Sequence, residues 1–326
     1  MKITQLGHAL VAVLGFTVGA AAAAQGFPTK AVRLVIPFPP GGSTDVGARV
    51  VAAKMSEDLK QTVFVENRPG AGTTIGAAFV ASSAPDGHTL YMTGPISHAS
   101  SAALYKNLSY DALRSFASIG LVNTSPFVIA VNAKSPFKTL KDLIDNARAN
   151  PGKLTYGSSG NGATPHLATE LISRAAGVSF THVPYKGAGP AIVALMAGDV
   201  DFTIADVGIV PQLREGRLRA LALTTAKEAR LVPGVPSLAE AGVPELAGID
   251  IPSAQAMLAP AGTPPEVVGR LNAALNVALN DPEVRQKFAA QGLEAAPGTP
   301  DVLEAFLASE VQRYGKIVRD LGIRID

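Results

Sequence analysis

Residues 32–45 read Val32-Arg33-Leu34-Val35-Ile36-Pro37-Phe38-Pro39-Pro40-Gly41-Gly42-Ser43-Thr44-Asp45. A five-residue run, apolar but for Arg33 and rich in β-branched residues, predicts a buried strand, and the proline and glycine residues that follow predict a loop. Beyond the loop, Ala48, Val51, Ala52, Met55 and Leu59 recur at i, i+3, i+4, i+7 and i+11, while Arg49, Lys54 and Glu57 fall off that face. This is the spacing of a helix with one apolar stripe. Strand, loop and helix together form one β-loop-α unit, the repeating piece of a mainly parallel sheet covered by helices.

The same pattern recurs outward from this stretch. Val63 to Val65 leads through Arg68-Pro69-Gly70-Ala71-Gly72 into an Ala-rich segment, and His88 to Met92 reads as the next strand. Ile119 to Val122 and Phe127 to Val131 are strand pieces interrupted by Ser125-Pro126, where the chain is expected to leave one lobe for another. A helix from about Thr139 to Ala149 and a strand at Leu154 to Tyr156 follow. The next helix carries Leu167, Leu171, Ile172 and Ala175 on one face and stops at Gly177. Phe180 to Val183, a loop over Tyr185-Lys186-Gly187-Ala188-Gly189, a helix start at Pro190, and strands at Asp201 to Ala205 and Arg219 to Thr224 complete the second set. Arg230 to Ser253 lacks strong periodicity and reads as the return crossover. Three helices follow, opened by Pro264-Pro265, Asp281-Pro282 and Thr299-Pro300, and they need a sheet to cover. The expected organisation is a discontinuous first domain, 25–124 with 250–326, and a second, 125–249, inserted in it.

The first residues read as an export signal over 1–24. Lys2 is the early positive charge, Ala9 to Val18 a short apolar core, and Ala22-Ala23-Ala24 the cleavage site, so the mature chain is expected to start near Gln25 in the periplasm. No second long apolar run follows, and there is no cysteine to carry a lipid anchor, a disulfide or a thiolate metal site. With 28 basic and 26 acidic residues dispersed along the chain, the net charge of +2 argues against nucleic acid as a partner. The histidines His88, His98, His166 and His182 lack metal-binding spacing, and no phosphate-binding nucleotide motif occurs, so no metal and no cofactor are expected.

Two loops concentrate the chemistry. The first is Pro39, Gly41, Gly42, Ser43 and Thr44 with Asp45; the second is Ser158, Ser159, Gly160, Asn161, Gly162 and Thr164 with His166. Each follows a strand and enters a helix. Glycines let backbone N–H groups approach a ligand, Ser and Thr add hydroxyls, and a helix N-terminus presents about half a positive charge. One loop alone is as readily a tight turn with an ordinary N-cap. As a pair on different lobes they predict a cleft that grips a carboxylate from both sides. Asp45 reads as a helix-start cap or a partner for backbone amides, His166 as either a ligand contact or a satisfied structural histidine, and Lys186 as an anion contact or a solvated charge. Ser158, His166 and Asp206 can be arranged on paper as a hydrolytic triad, although no G-x-S-x-G elbow is present.

These residues also carry a family resemblance. The runs at 37–45, Val65-Glu66-Asn67-Arg68-Pro69-Gly70-Ala71-Gly72, Ser158-Ser159-Gly160-Asn161-Gly162, His182-Val183-Pro184-Tyr185-Lys186-Gly187 and Leu258-Ala259-Pro260-Ala261-Gly262-Thr263-Pro264 resemble, in order, the Bug family of extracytoplasmic solute receptors of tripartite tricarboxylate transporters. The resemblance covers essentially the whole mature chain. It implies an α/β, two-lobed type II periplasmic-binding-protein fold with the ligand cleft between the lobes. It further implies a monomer that catalyses no reaction, captures a small organic anion (a di- or tricarboxylate, an acidic amino acid or an aromatic acid), and hands it to membrane permease components. A sensor for a regulatory partner would share fold and ligand; a carboxylate ester or amide hydrolase is the remaining alternative. The chain departs from the family at Ser253 to Met257 and at Ile204 to Gly208. An Asp206 facing the cleft would favour a ligand with an amine or hydroxyl opposite its carboxylate.

Overall fold

The apolar runs pair into two separate sheets in the computed structural model, which describes residues 26–225 and 232–322. The predicted export segment lies outside the described residues. The first part of the chain gives β1 (Val32–Ile36), α1 (Ser43–Leu59), β2 (Val63–Asn67), α2 (Thr74–Ala81), β3 (Thr89–Thr93), α3 (Pro95–Leu104) and β4 (Phe116–Pro126). The middle gives β5 (Val128–Asn132), α4 (Leu140–Ala149), β6 (Thr155–Ser158), α5 (Thr164–Ala176), β7 (Thr181–Pro184), α6 (Ala188–Ala197), β8 (Phe202–Ala205), α7 (Val210–Arg214) and β9 (Leu218–Leu223). The last part gives β10 (Pro252–Pro260), α8 (Pro265–Asn280), α9 (Pro282–Ala290), β11 (Glu294–Ala295) and α10 (Pro300–Leu321).

One sheet has the order β11-β4-β10-β3-β1-β2, the other β7-β6-β8-β5-β9. The β-loop-α units produce the parallel pairs β1 with β2 and β3, and β6 with β7 and β8. The sheets are mixed, however, which corrects the expectation of a mainly parallel arrangement. β10 runs antiparallel to both β3 and β4, and β5 antiparallel to both β8 and β9. The physical reason lies in the crossovers. β4 carries the chain out of the first sheet and β10 brings it back alongside, so the two run in opposite directions, with Pro126 opposite Pro252 at the exit.

Local signals fix the helix ends. Thr139 and Asp142 form a reciprocal capping box at the start of α4, Asp281 accepts the N–H groups of Glu283 and Val284 at α9, and Gly177 ends α5 at φ +64°. On α1, Ala48, Val51, Ala52, Met55 and Leu59 are all buried, in one apolar cluster with Leu34 and Ile36 of β1 and Leu271 and Leu275 of α8. α8 and α9 thus cover the first sheet. α10 behaves differently: Leu303 and Leu307 pack with Val35 and Tyr91 of the first sheet, while Tyr314 and Val318 are buried with Tyr156, Leu167 and Phe202 of the second lobe. One helix therefore belongs to both cores. Among the described residues no helix is long and apolar enough to cross a membrane.

Candidate ligand-binding cleft

The loop after β1 is tied to its own helix. Gly41, at φ +87°, donates its N–H to Asp45 Oδ2 at 3.0 Å. Arg49, one turn on, grips the same carboxylate at 3.1 and 2.9 Å, and Asn67 at the end of β2 donates to Asp45 Oδ1 at 2.9 Å and to the Phe38 carbonyl at 3.0 Å. Burial alone would raise the Asp45 pKa, but the Arg49, Gly41 and Asn67 hydrogen bonds outweigh it and hold the carboxyl below its ordinary range. Asp45 is 4% exposed and stands behind the loop as a strut, with its oxygens taken. Thr44 is fixed from β10 by Gln255, whose amide donates to Thr44 Oγ1 at 2.9 Å and whose oxygen accepts from Asn123 at 2.9 Å.

The loop after β6 is likewise anchored from behind. Gly160 and Gly162 take φ +135° and +73°, conformations open to glycine without strain. The Gly162 N–H donates to His166 Nδ1 at 2.9 Å, and the Gly160 N–H to Ser158 Oγ at 3.1 Å. Ser158 Oγ also meets His182 Nε2 at 2.6 Å. Ser158 and His166 are buried behind the wall, and neither lines the cavity. The hydrolytic triad drawn from the sequence is not assembled: Ser158 pairs with His182 instead of His166, and Asp206 bonds Ser43 and Gly208.

Between the lobes lies a cavity of about 1020 Å³. Its wall includes Pro39, Gly41, Gly42, Ser43 and Thr44 from the first loop and Ser159, Gly160, Asn161, Gly162 and Thr164 from the second. Lys186 and Asp206 also line it and are, among the described residues, the one cation and the one acid on its wall. Sequence reasoning missed the loop Pro69–Thr73 and Gly94, Ile96 and Ser97, which line the same space, as does Gln255 in the stretch 253–257 where the chain departs from the family. Arg68-Pro69-Gly70-Ala71-Gly72 had the same strand-loop-helix context as the two chosen loops, and that was the available signal. The N-terminal ends of α1, α2, α3, α5 and α6 all reach this cavity. Five converging helix ends and one lysine set against one carboxylate make the wall electropositive. Phe38, Ile96, Leu104, Phe127, Ile192 and Ile204 give it an apolar share. Side-chain bonds cross the cleft: Ser43 Oγ donates to Asp206 Oδ2 at 3.0 Å, Ser97 Oγ meets Thr164 Oγ1 at 3.2 Å, and Ser100 Oγ donates to the Gly162 carbonyl at 3.4 Å. Asp206 Oδ1 accepts the Gly208 N–H at 3.0 Å.

Residues 47–323 match the family model described as tripartite tricarboxylate transporter family receptor. This chain belongs to that receptor family. Protein BugT of Bordetella pertussis is 37% identical to it over 97% of this chain and 98% of BugT. Among solved structures, R. palustris Rpa4515 with adipate is 36% identical with a TM-score of 0.83, over 92% of this chain and 99% of that one. The periplasmic binding protein BugD is 32% identical with a TM-score of 0.80, over 91% and 99%. The receptor therefore has the two-lobed periplasmic-binding-protein fold, and the relatives it matches are binding receptors. One of them was solved with a dicarboxylate.

Proposed function

We propose that this receptor is exported to the periplasm, captures a small carboxylate-bearing metabolite in the cleft between its lobes, and presents it, as a monomer and without turnover, to the membrane components of a tripartite tricarboxylate-type transporter. The observation that carries this reading is the convergence of five helix N-termini and Lys186 on one interlobe cavity. Backbone N–H groups held by glycine loops bind carboxylate oxygens without counter-charges that would need desolvation. The loops at 39–45 and 158–166 serve as the two jaws, with Asp45 and His166 acting from behind. The two bodies that close are 25–124 with 250–326, and 125–249. Membership of the family and the adipate-bound relative support a carboxylate as the ligand.

The test is a thermal-shift screen of the chain from Gln25, denatured and refolded to strip captured ligand, across organic acids and acidic amino acids. A shift that saturates with one carboxylate, confirmed by calorimetry with the acid recovered unchanged, is the expected result. A shift with a neutral or cationic solute alone would overturn the anion assignment, and turnover of the bound acid would overturn the receptor reading.

A further inference from the structure

The Ser158–Gly162 loop is held by two histidines from different elements. His166, in the first turn of α5, accepts the Gly162 N–H at Nδ1, so its proton sits on Nε2. His182, in β7, meets Ser158 Oγ through Nε2, and Ser158 Oγ in turn accepts the Gly160 N–H. The rings lie face to face, centroids 4.1 Å apart and 5° from parallel. Tyr156 of β6 stacks on His182 at 4.7 Å and donates its hydroxyl to Glu170 of α5 at 2.7 Å. The Gly160 N–H is committed to Ser158 Oγ and the Gly162 N–H to His166 Nδ1, while both glycines share the cavity wall with Ser159, Asn161 and Thr164.

We propose that His166 and His182 are positioning residues for the ligand's anion: the stacked pair sets the direction of the 158–162 backbone from behind, so binding depends on two side chains that do not line the cleft. The inference rests on the anion-binding reading above and deepens it.

The charge state of the pair follows from its geometry. A proton added to His166 Nδ1 would face the Gly162 N–H donor to donor, and two imidazoliums at this separation repel. Burial pushes both histidines down to about 4; His166 adds to the lowering at His182, and Glu170 opposes it there. The other titratable neighbours are Tyr156 from β6 and Glu170 from α5, while β8 contributes only the ring of Phe202. Folded values below the ordinary 6.5 mean that the neutral pair's contribution is complete above pH 6.5 and is lost as pH falls toward 4.

The experiment uses His166→Asn, whose Oδ1 replaces the Nδ1 acceptor without titrating, His166→Leu, which removes it, and His182→Gln. In the ligand-free protein, ring 15N shifts should show His166 as the Nε2–H tautomer, and the Gly162 amide should be protected from hydrogen exchange in the parent and in His166→Asn. That protection should be lost in His166→Leu, and in the parent near pH 4. Adipate is the binding probe: His166→Leu should bind about tenfold more weakly at pH 7, and His166→Asn should restore affinity. Between pH 6.5 and 4 the parent should lose more affinity than a His166→Asn/His182→Gln variant, which reports the protonation of adipate itself. Parent-like Gly162 protection or affinity in His166→Leu overturns the proposal, as does an identical pH profile in the double variant. If His166→Leu does not fold, the pH arms of the parent and the His166→Asn/His182→Gln variant decide. If adipate fails to bind the parent while Gly162 exchange behaves as stated, the probe or the ligand reading has failed, and the exchange data alone support the loop-holding role.

Discussion

Gly41 and Gly160 stand at φ +87° and +135°, and nothing in the protein would crowd a side chain there: a Cβ on Gly41 meets no atom within 4 Å, and one on Gly160 lies 3.5 Å from the Tyr185 carbonyl. The penalty for a β-branched residue is therefore conformational, of order 1–3 kcal/mol, and falls on the loop. Gly41→Val and Gly160→Val should each weaken binding of the carboxylate that the thermal-shift screen identifies by tenfold or more in calorimetry while the melting temperature drops by a few degrees; unchanged affinity in both would remove these loops from the site. The glycines and hydroxyls were legible because their reason is local: the loop type needs them whatever lies opposite. Asp45 as a partner for backbone amides was legible, and a structural His166 was one of its two readings; that neither side chain lines the cavity was not. Both sit near the start of a helix, where residue type and spacing are the same whether the side chain faces the ligand or, as here, turns back to hold its own loop.

At the scale of elements, the crossovers are tied together by one side chain. Thr224, fully buried after β9, donates its hydroxyl to the Ile251 carbonyl at 2.7 Å and accepts the Phe127 N–H at 3.1 Å. Its backbone exchanges bonds with the same two residues, from its N–H to Phe127 O at 2.9 Å and from Ile251 N–H to its carbonyl at 2.8 Å. Thr224→Val keeps the shape and leaves the Phe127 N–H and the Ile251 carbonyl without their side-chain partner. It should destabilise the protein by about 1–3 kcal/mol in urea unfolding, and a change within 0.5 kcal/mol would show that water replaces the hydroxyl. The exit at Pro126 was readable from Ser125-Pro126, but β10 was not readable as a strand. Ser253-Ala254-Gln255-Ala256 alternates polar with small apolar residues over only four positions and has no β-branched or aromatic residue, and it is extended because β3 and β4 offer it ladders on both sides. α3 was missed for a related reason: Ser97, Ser100 and Ser101 blur its apolar period, and its face is set by packing with α10.

Over the whole molecule, closure is held by few polar contacts and guided by one shared helix. Ser43 to Asp206 and Ser97 to Thr164 cross the cleft, while Arg174 of α5 reaches Asp320 of α10 at 3.3 Å, and α10 contributes to both cores. Asp206 has one oxygen on Ser43 and the other on Gly208, so it serves as a clasp between lobes and as a cap of its own turn. Ser43→Ala removes the clasp without disturbing that turn. It should shift the ligand-free balance toward open forms by about 1 kcal/mol, roughly fivefold, visible as a larger radius of gyration in X-ray scattering that contracts when the carboxylate found by the thermal-shift screen is added. A ligand-free scattering profile identical to the parent would show that the clasp carries no closure energy.

By itself the sequence determined the strand-loop-helix units, the two glycine loops whose helix ends invite an anion, and the family to which the motifs belong. Hydrophobic period, proline and glycine punctuation, and the demand for positive φ are properties of a few neighbouring residues, so they are written locally. The tertiary structure alone decided that β10 runs antiparallel beside β4, that α10 is shared by both cores, that a third loop at Pro69–Thr73 joins the wall, and that Asp45, Ser158 and His166 stand behind it. The strand ladder, the shared helix and the third wall loop depend on residues tens to hundreds of positions away, beyond the reach of any local pattern. Asp45 and His166 bond Gly41 and Gly162 only four residues off, and there the tertiary packing decided which way the side chain turns.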